Sequence, residues 1–431
     1  MNILKDKGIF AFICSNKFAK AKYGEKLRKL ILENQLKIYN DLTGINVFKE
    51  ASVDTCVIQI KKDFVEDNEV YVDNKYYMKQ ERLNSKSFIF NTPEVLNLRD
   101  KIFKQGTMIK DLNIQINRGV LTGFNEAFII DEDTKNRLIK EDSKNKEIIK
   151  PLLRGKDIKK WGIHYKNFYL IHSYNGLDTK NKYPSIYKFL SQYKEKLEKR
   201  YDKGENWYNL RSCSYDDLFE KEKIIYSAIS PEPSFAYDDN NNYILNSGFI
   251  LNSNSINIKY LIALLNSKLL FWYFKDICNS LSTKGFQYKE IFVEQLPIKT
   301  INKNMEKELC NLVNKILEFN KIFINETNFL WNYILKEFKV QKISNKLENY
   351  FKLNSEEFLK EIKKQNGVIS NEFLKDALIQ KFNFSCQKIE EIQLNIEYIE
   401  KELNKLIYLI YNLDENEINI VENELKKFNT F

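Results

Sequence analysis

The sequence predicts an α/β block entered part-way through its sheet, then a mixed α+β domain, then an α-helical tail. Three observations carry this expectation. Residues 1–62 read strand, helix, strand, strand. Five of the six prolines and most of the glycines fall between 100 and 297. After Pro297 there is no proline and Gly367 is the only glycine, while apolar residues recur at helical spacing.

The first run, Gly8-Ile9-Phe10-Ala11-Phe12-Ile13-Cys14-Ser15-Asn16, reads as a buried strand, and Lys22 to Leu32 as a helix. Leu36–Leu42 and Thr55–Ile60 read as two further strands of a doubly wound sheet. Such a sheet leaves the Gly8 strand as an open apolar edge, so the expectation is that the first half of the domain is absent from this sequence. Residues 63–99 are polar and tyrosine-rich, a connector with some strand character. Residues 100–297 hold short strand-like pieces, such as Ala127–Ile130, Phe168–Ile171 and Lys223–Tyr226, and an apolar helix from Ile258 to Leu265.

In the tail, 298–431, Ile389, Ile392, Ile396, Ile399, Leu403, Leu406, Ile410 and Leu413 step by threes and fours as a heptad seam. Leu309, Leu312, Ile316, Phe319 and Phe323 begin a second, which predicts an antiparallel helical pair, either a small bundle or a coiled coil that binds a partner.

Of the 431 residues, 43% are hydrophobic and 29% charged, an ordinary globular composition. Lys and Arg total 68 against 59 acidic residues, a net charge of +9 that permits a polyanionic partner without requiring one. Cys14, Cys56, Cys213, Cys278, Cys310 and Cys386 are scattered, and read as reduced thiols of a cytoplasmic protein. With only His164 and His172, a zinc site or a Ser/His/Asp triad is not expected. There is no phosphate-binding glycine loop, and Asp54, Asp131 and Asp157 are isolated carboxylates that read as surface or cap residues.

Three stretches concentrate polar chemistry. Ile116 to Phe128 sets Arg118, Thr122 and Asn125 around two glycines. Leu153 to Trp161 gathers Arg154, Lys156, Lys159 and Lys160 around Gly155, and Trp207 to Arg211 joins aromatics to a cation. Cations beside hydroxyls, amides and aromatic rings suit phosphate clamping and base-edge reading. These residues, Arg118, Thr122, Asn125, Arg154, Lys156, Lys159, Lys160, Trp207 and Arg211, form the candidate DNA-binding set. For each, the alternative is a turn with solvated charges.

On these residues the chain resembles a family. Gly8 through Ser15-Asn16-Lys17-Phe18, Lys22-Tyr23-Gly24, and Val47-Phe48 to Asp54-Thr55 look like the part of N6-adenine DNA methyltransferases that follows their Asn-Pro-Pro-Tyr tetrapeptide. The likeness is to the large type II (type IIG-like) enzymes that fuse modification and restriction. Arg118-Gly119-Val120 with Thr122-Gly123, Pro151-Leu152-Leu153-Arg154-Gly155-Lys156-Asp157-Ile158, and Leu264-Leu265-Asn266-Ser267-Lys268 resemble their TaqI-like C-terminal specificity domain. Leu406 to Leu413 with Glu417-Ile418 resembles the family's usual terminus.

The resemblance implies an incomplete Rossmann-like methyltransferase sheet (1–62), a target-recognition domain (100–297) and a helical tail. It places Phe48 where an aromatic stacks on the flipped-out target adenine, although a plain core role is equally open to it. Double-stranded DNA is the implied partner. The family's Gly-rich motif for S-adenosylmethionine and its Asn-Pro-Pro-Tyr are absent, so no cofactor and no catalytic residue are expected in this chain. Methyl transfer would need a complementing N-terminal methyltransferase or nuclease chain. The rival expectations are a gene remnant, a stand-alone specificity-like DNA-binding module, and a helical scaffold without a DNA role.

Overall fold

A computed structural model describes residues 1–428 except 2, 46, 49–52 and 282–284. Near the N-terminus, β1 (Ile9–Ser15), β2 (Gln35–Asp41), β3 (Thr55–Lys61), β4 (Glu69–Val72) and β5 (Tyr76–Lys79) form one sheet in the order β1-β3-β2-β4-β5. Helix α1 (Glu25–Leu32) joins β1 to β2, which run parallel to each other because β3 lies antiparallel between them. The sheet is therefore mixed, with only β2 and β4 paired in parallel, and not the parallel doubly wound arrangement expected. The strand expected at Gly8 is present but not buried. β1 is the edge, and Ile9, Phe10 and Phe12 are exposed, as are Leu27 and Leu30 of α1.

The segment read as a connector contributes β4 and β5 to this sheet. Val70, Val72, Met78, Phe88 and Leu96 pack in one core with Ile31, Leu36, Ile58 and Ile60, so burial continues across residue 62. Arg28 is buried and works as a staple. Its guanidinium donates to the carbonyls of Phe18, Ala21 (2.8 Å), Ser85 and Lys86 (both 2.7 Å), tying the connection between β1 and α1 to the loop that leads into α2 (Pro93–Gln105). Helix α2 leads onward, and its Arg99 pairs with Asp276 at 3.1 Å and lies over the Tyr273 ring.

The middle region has two four-stranded sheets. One orders Tyr243–Ile244, Ile149–Leu153, Phe168–Ile171 and Ile129–Ile130. The other, wholly antiparallel, orders Phe235–Asp238, Lys223–Ser227, Gly248–Ser253 and Ile114–Arg118. The second sheet is the central layer. Ile224, Tyr226, Phe249 and Leu251 face the larger core under helices Ile258–Leu265 and Lys268–Ile277, while Ile225 and Ile250 face the smaller core beneath the first sheet. Alternation along a strand sends neighbours to opposite faces, and burial on both faces yields a continuous apolar run. Asn266 accepts from the Phe235 N–H and donates to its carbonyl, tying the helical layer to the sheet edge, and the Ser267 hydroxyl caps the second helix.

The tail holds two long helices, Lys303–Glu337 and Glu372–Ile410, packed antiparallel. Leu309, Val313 and Ile316 share the larger core with Ile399, Leu403 and Ile407, while Phe323, Leu330 and Trp331 share a distal core with Leu378, Phe382 and Ile389. The expected seam drifts near its end. Ile389, Ile392, Ile399, Leu403 and Ile410 are buried, but Ile396, Leu406 and Leu413 are half-buried and Ile407 takes the place of Leu406. A straight 3.6-residue helix slips against a strict heptad, and Ile407 is the residue it carries inward. Helix Glu415–Phe428 folds back onto helix Lys268–Ile277, where Glu422 pairs with Lys268 at 2.7 Å.

Candidate nucleic-acid interface

Residues 244–248 are the hub of the site. The Val120 N–H donates to the Ile244 carbonyl (2.7 Å), Gly119 to Gly248 (2.9 Å), Leu245 to Leu153 (3.0 Å), and Gly155 to the Ser247 hydroxyl (2.9 Å). The two glycine-bearing loops thus lie against one turn. A Cβ at Gly119 would stand 2.2 Å from the Leu245 carbonyl oxygen, and one at Gly155 would stand 2.6 Å from that of Ser247. Only glycine permits that approach of backbone to backbone.

Beside the hub opens a cleft of about 580 Å³, lined in part by Arg118, Tyr174, Asn175, Arg211, Ser212 and Ser214. Arg118 ends its strand, is exposed, and donates through Nε to the Asn246 carbonyl at 3.2 Å. Tyr215 donates its hydroxyl to the Arg118 carbonyl at 3.0 Å. Arg211 is exposed, with Asp202 at 3.5 Å. His172 and Asp216, 3.0 Å apart, also line the cleft. Two guanidinium groups among hydroxyls and an amide give the cleft donors of the kind that pair with phosphate oxygens or the acceptors of a guanine edge.

The structure disperses much of the expected DNA-binding set. Arg118 and Arg211 meet in the cleft although 93 positions apart, and Lys156, Lys159 and Asn125 are exposed. Arg154 is instead spent inside the fold. Its Nε and Nη2 hold both oxygens of Asp157, at 2.9 and 2.8 Å, and its guanidinium lies 4.2 Å from the Phe168 ring centroid. Asp157, expected at the surface or a cap, is buried and serves as the cap, accepting from the Arg154 N–H and closing the turn. Thr122 is buried too. Its hydroxyl donates to Asn125 Oδ1 at 2.6 Å and its carbonyl accepts from Arg200, so it is removed from any base edge.

Lys160 pairs with Glu400 of the second long helix at 2.6 Å, and the Trp161 indole N–H donates to the same carboxylate. That lysine couples the middle region to the tail. Trp207 is half-buried against Tyr187 and Tyr208. Arg200, absent from the expected set, is buried and donates to the carbonyls of Thr122, Trp207 and Asn209, fixing one cleft wall. No local signal marks Arg200, whose partners are backbone carbonyls that carry no side-chain signature, or the His172–Asp216 pair, whose members stand 44 positions apart.

Phe48 is 45% exposed and is not packed into the core of this chain. Lys49 beside it lies outside the described residues. A second cleft, about 310 Å³, opens between the N-terminal sheet and helix Lys268–Ile277 and is lined in part by Asn16, Tyr39, Asp41, Thr43, Asp54 and Lys275. Asn16 bridges Asp41 (3.1 Å) and Thr43 (2.8 Å) on its rim. Burial pulls the Lys275 ammonium down to about 8. Among the described residues, no group of three or more His, Cys, Asp or Glu could hold a metal ion, and no helix is long and apolar enough to cross a membrane.

Residues 150–298 match the TaqI-like C-terminal specificity domain, and residues 302–407 match a domain of unknown function, DUF8810. The chain is 27% identical over 222 residues to the type II methyltransferase M.MjaIV of Methanocaldococcus jannaschii, covering 49% of this chain and 72% of that protein. It is 20% identical over 359 residues to the type II methyltransferase M.BstVI of Geobacillus stearothermophilus, covering 72% and 62%. Over 381 residues it is 24% identical to the type II restriction enzyme and methyltransferase RM.Eco57I of Escherichia coli, covering 75% and 38%. In fold it resembles the type IIL restriction-modification enzyme MmeI, whose structure was solved in complex with DNA. The TM-score is 0.56 at 12% identity, over 98% of this chain and 50% of that one. The chain thus spans only part of each of these relatives.

Proposed function

We propose that this chain, which carries a TaqI-like specificity domain and is similar to type II restriction–modification methyltransferases, recognises specific duplex DNA as the C-terminal portion of an adenine-N6 methyltransferase. The observation that carries the reading is the convergence of Arg118 and Arg211 on one hydroxyl-lined cleft beside the Gly119–Gly155 hub. Arg118 at its strand end and Arg211 on the loop braced by Arg200 read acceptors on base edges, while the exposed Lys156 and Lys159 contact phosphates. Phe48, exposed beyond β2, is the residue to stack on an extruded adenine.

The Gly-rich cofactor motif and Asn-Pro-Pro-Tyr do not occur in these 431 residues. The chain by itself binds no S-adenosylmethionine and transfers no methyl group. Both need a segment that bears those motifs and continues the sheet at β1, whose edge and apolar side chains are uncovered among the described residues.

The test is selection of the bound sequence from a random duplex library, followed by binding of the selected site by Arg118→Ala and Arg211→Ala. Removing a good hydrogen-bonding partner of a base costs roughly 1–3 kcal/mol of discrimination at one base pair. Unchanged discrimination in both variants would remove the cleft from base reading.

A further inference from the structure

One segment concentrates charge that the cleft does not use. Residues 179–203 contain eight cations and three carboxylates, so five of the chain's nine net positive charges sit in twenty-five residues. The segment forms the short helices Thr179–Lys182, Pro184–Ser191 and Lys194–Glu198. Ile186, Leu190 and Leu197 are fully buried on its inner side, which fixes the opposite face toward water. Seven lysines are exposed there, four of them, Lys194, Lys196, Lys199 and Lys203, within ten residues. The eighth cation, Arg200, turns inward and anchors the strip to the wall that carries Arg211, through the Trp207 and Asn209 carbonyls.

The local counter-charges do not balance the strip. Lys194 meets Glu198 at 3.7 Å and Lys196 meets Glu126 at 3.9 Å, loose pairs between side chains that are all at least half exposed. Exposed pairs of this kind contribute little and exchange readily for another anion. Tyr201, between Lys199 and Lys203, is 99% exposed, an aromatic ring with no packing role.

We infer that the strip 179–203 is a second DNA contact surface, flanking the cleft, that grips the phosphate backbone of the duplex without reading sequence. The inference rests on the proposed DNA recognition and deepens it. The cleft selects the site and the strip supplies the salt-sensitive, sequence-independent part of the affinity.

The experiment measures binding of the full chain to its selected site and to an unrelated duplex across a salt series, for wild type and for a variant with Lys194, Lys196, Lys199 and Lys203 all changed to Ser. Each phosphate that a lysine ceases to neutralise lowers the slope of log affinity against log salt by about 0.9. The expected result is a slope reduced by about 2–4 by that count, with affinity for the two duplexes falling by the same factor. All four lysines are exposed, and an unchanged melting temperature verifies that the variant folds. Unchanged slope and affinity, while Arg118→Ala still weakens site discrimination, would overturn the strip and leave the cleft standing. A weakening confined to the selected site would also overturn it, since the strip would then be reading bases. No duplex binding by wild type would overturn both.

Discussion

Lys223 and Asp238 are fully buried and lie 2.6 Å apart, opposite each other in the central sheet. Asp238 also accepts from the Asn242 side chain at 2.6 Å, and the Lys223 ammonium donates to the Phe219 carbonyl. Removing one partner strands the other charge in an apolar interior. Lys223→Met or Asp238→Leu alone should cost roughly 3–5 kcal/mol in urea unfolding, and the double change much less than the sum. His164 makes a second prediction. Burial, reinforced by Lys159 and Lys166 against Glu348 and Asp157, holds its imidazole down at about 4. The unfolded chain takes up that proton near pH 6.5 and the folded one refuses it until about pH 4. Its contribution is therefore complete above pH 6.5, declines as pH falls through that window, and levels off below it. Denaturant titrations at pH 7 and pH 4.5 should differ by on the order of 1–3 kcal/mol more in wild type than in His164→Gln.

At the scale of elements, two motifs that look alike in sequence do different work. In the turn after strand Ile149–Leu153, Arg154 is locked to Asp157 while Lys156 stands in water. Arg154→Ala should destabilise by about 1–3 kcal/mol because Asp157 is left buried without its counter-charge, whereas Lys156→Ala should stay within about 0.5 kcal/mol and weaken DNA binding. Melting curves read beside binding curves separate the two. Lys160 and Trp161 share Glu400, so Glu400→Gln should loosen the tail from the middle region and raise amide exchange at the end of helix Glu372–Ile410. The strands at Thr55 and Lys223 and the antiparallel helical pair were legible because apolar periodicity is a local property. The partner of Arg154 sat three residues away and was still missed, because a run of cations reads equally as a solvated turn or a clamp until burial decides.

At the scale of the whole molecule, one face of β1 and α1 is uncovered among the described residues. Ile9, Phe12, Leu27 and Leu30 are all exposed on elements of one sheet and its connecting helix. An unpaired edge with apolar side chains invites association with another strand. Phe12→Lys should lower self-association in light scattering and leave the melting temperature unchanged, since the side chain is already 54% in water. A fall in the melting temperature would show instead that the face is packed in the isolated chain.

By itself the sequence determined most of the long elements and the likeness to a specificity domain, because periodicity, proline and glycine placement and short motifs are carried by neighbouring residues. The sharing of β4 and β5 with the N-terminal sheet, the meeting of Arg118 with Arg211, and the withdrawal of Arg154, Thr122 and Lys160 into the fold were decided only in three dimensions. Whether a cation faces a buried carboxylate or open water depends on which remote strand passes beneath it. For Lys160, helix Glu372–Ile410, brought in from far along the chain, made that choice.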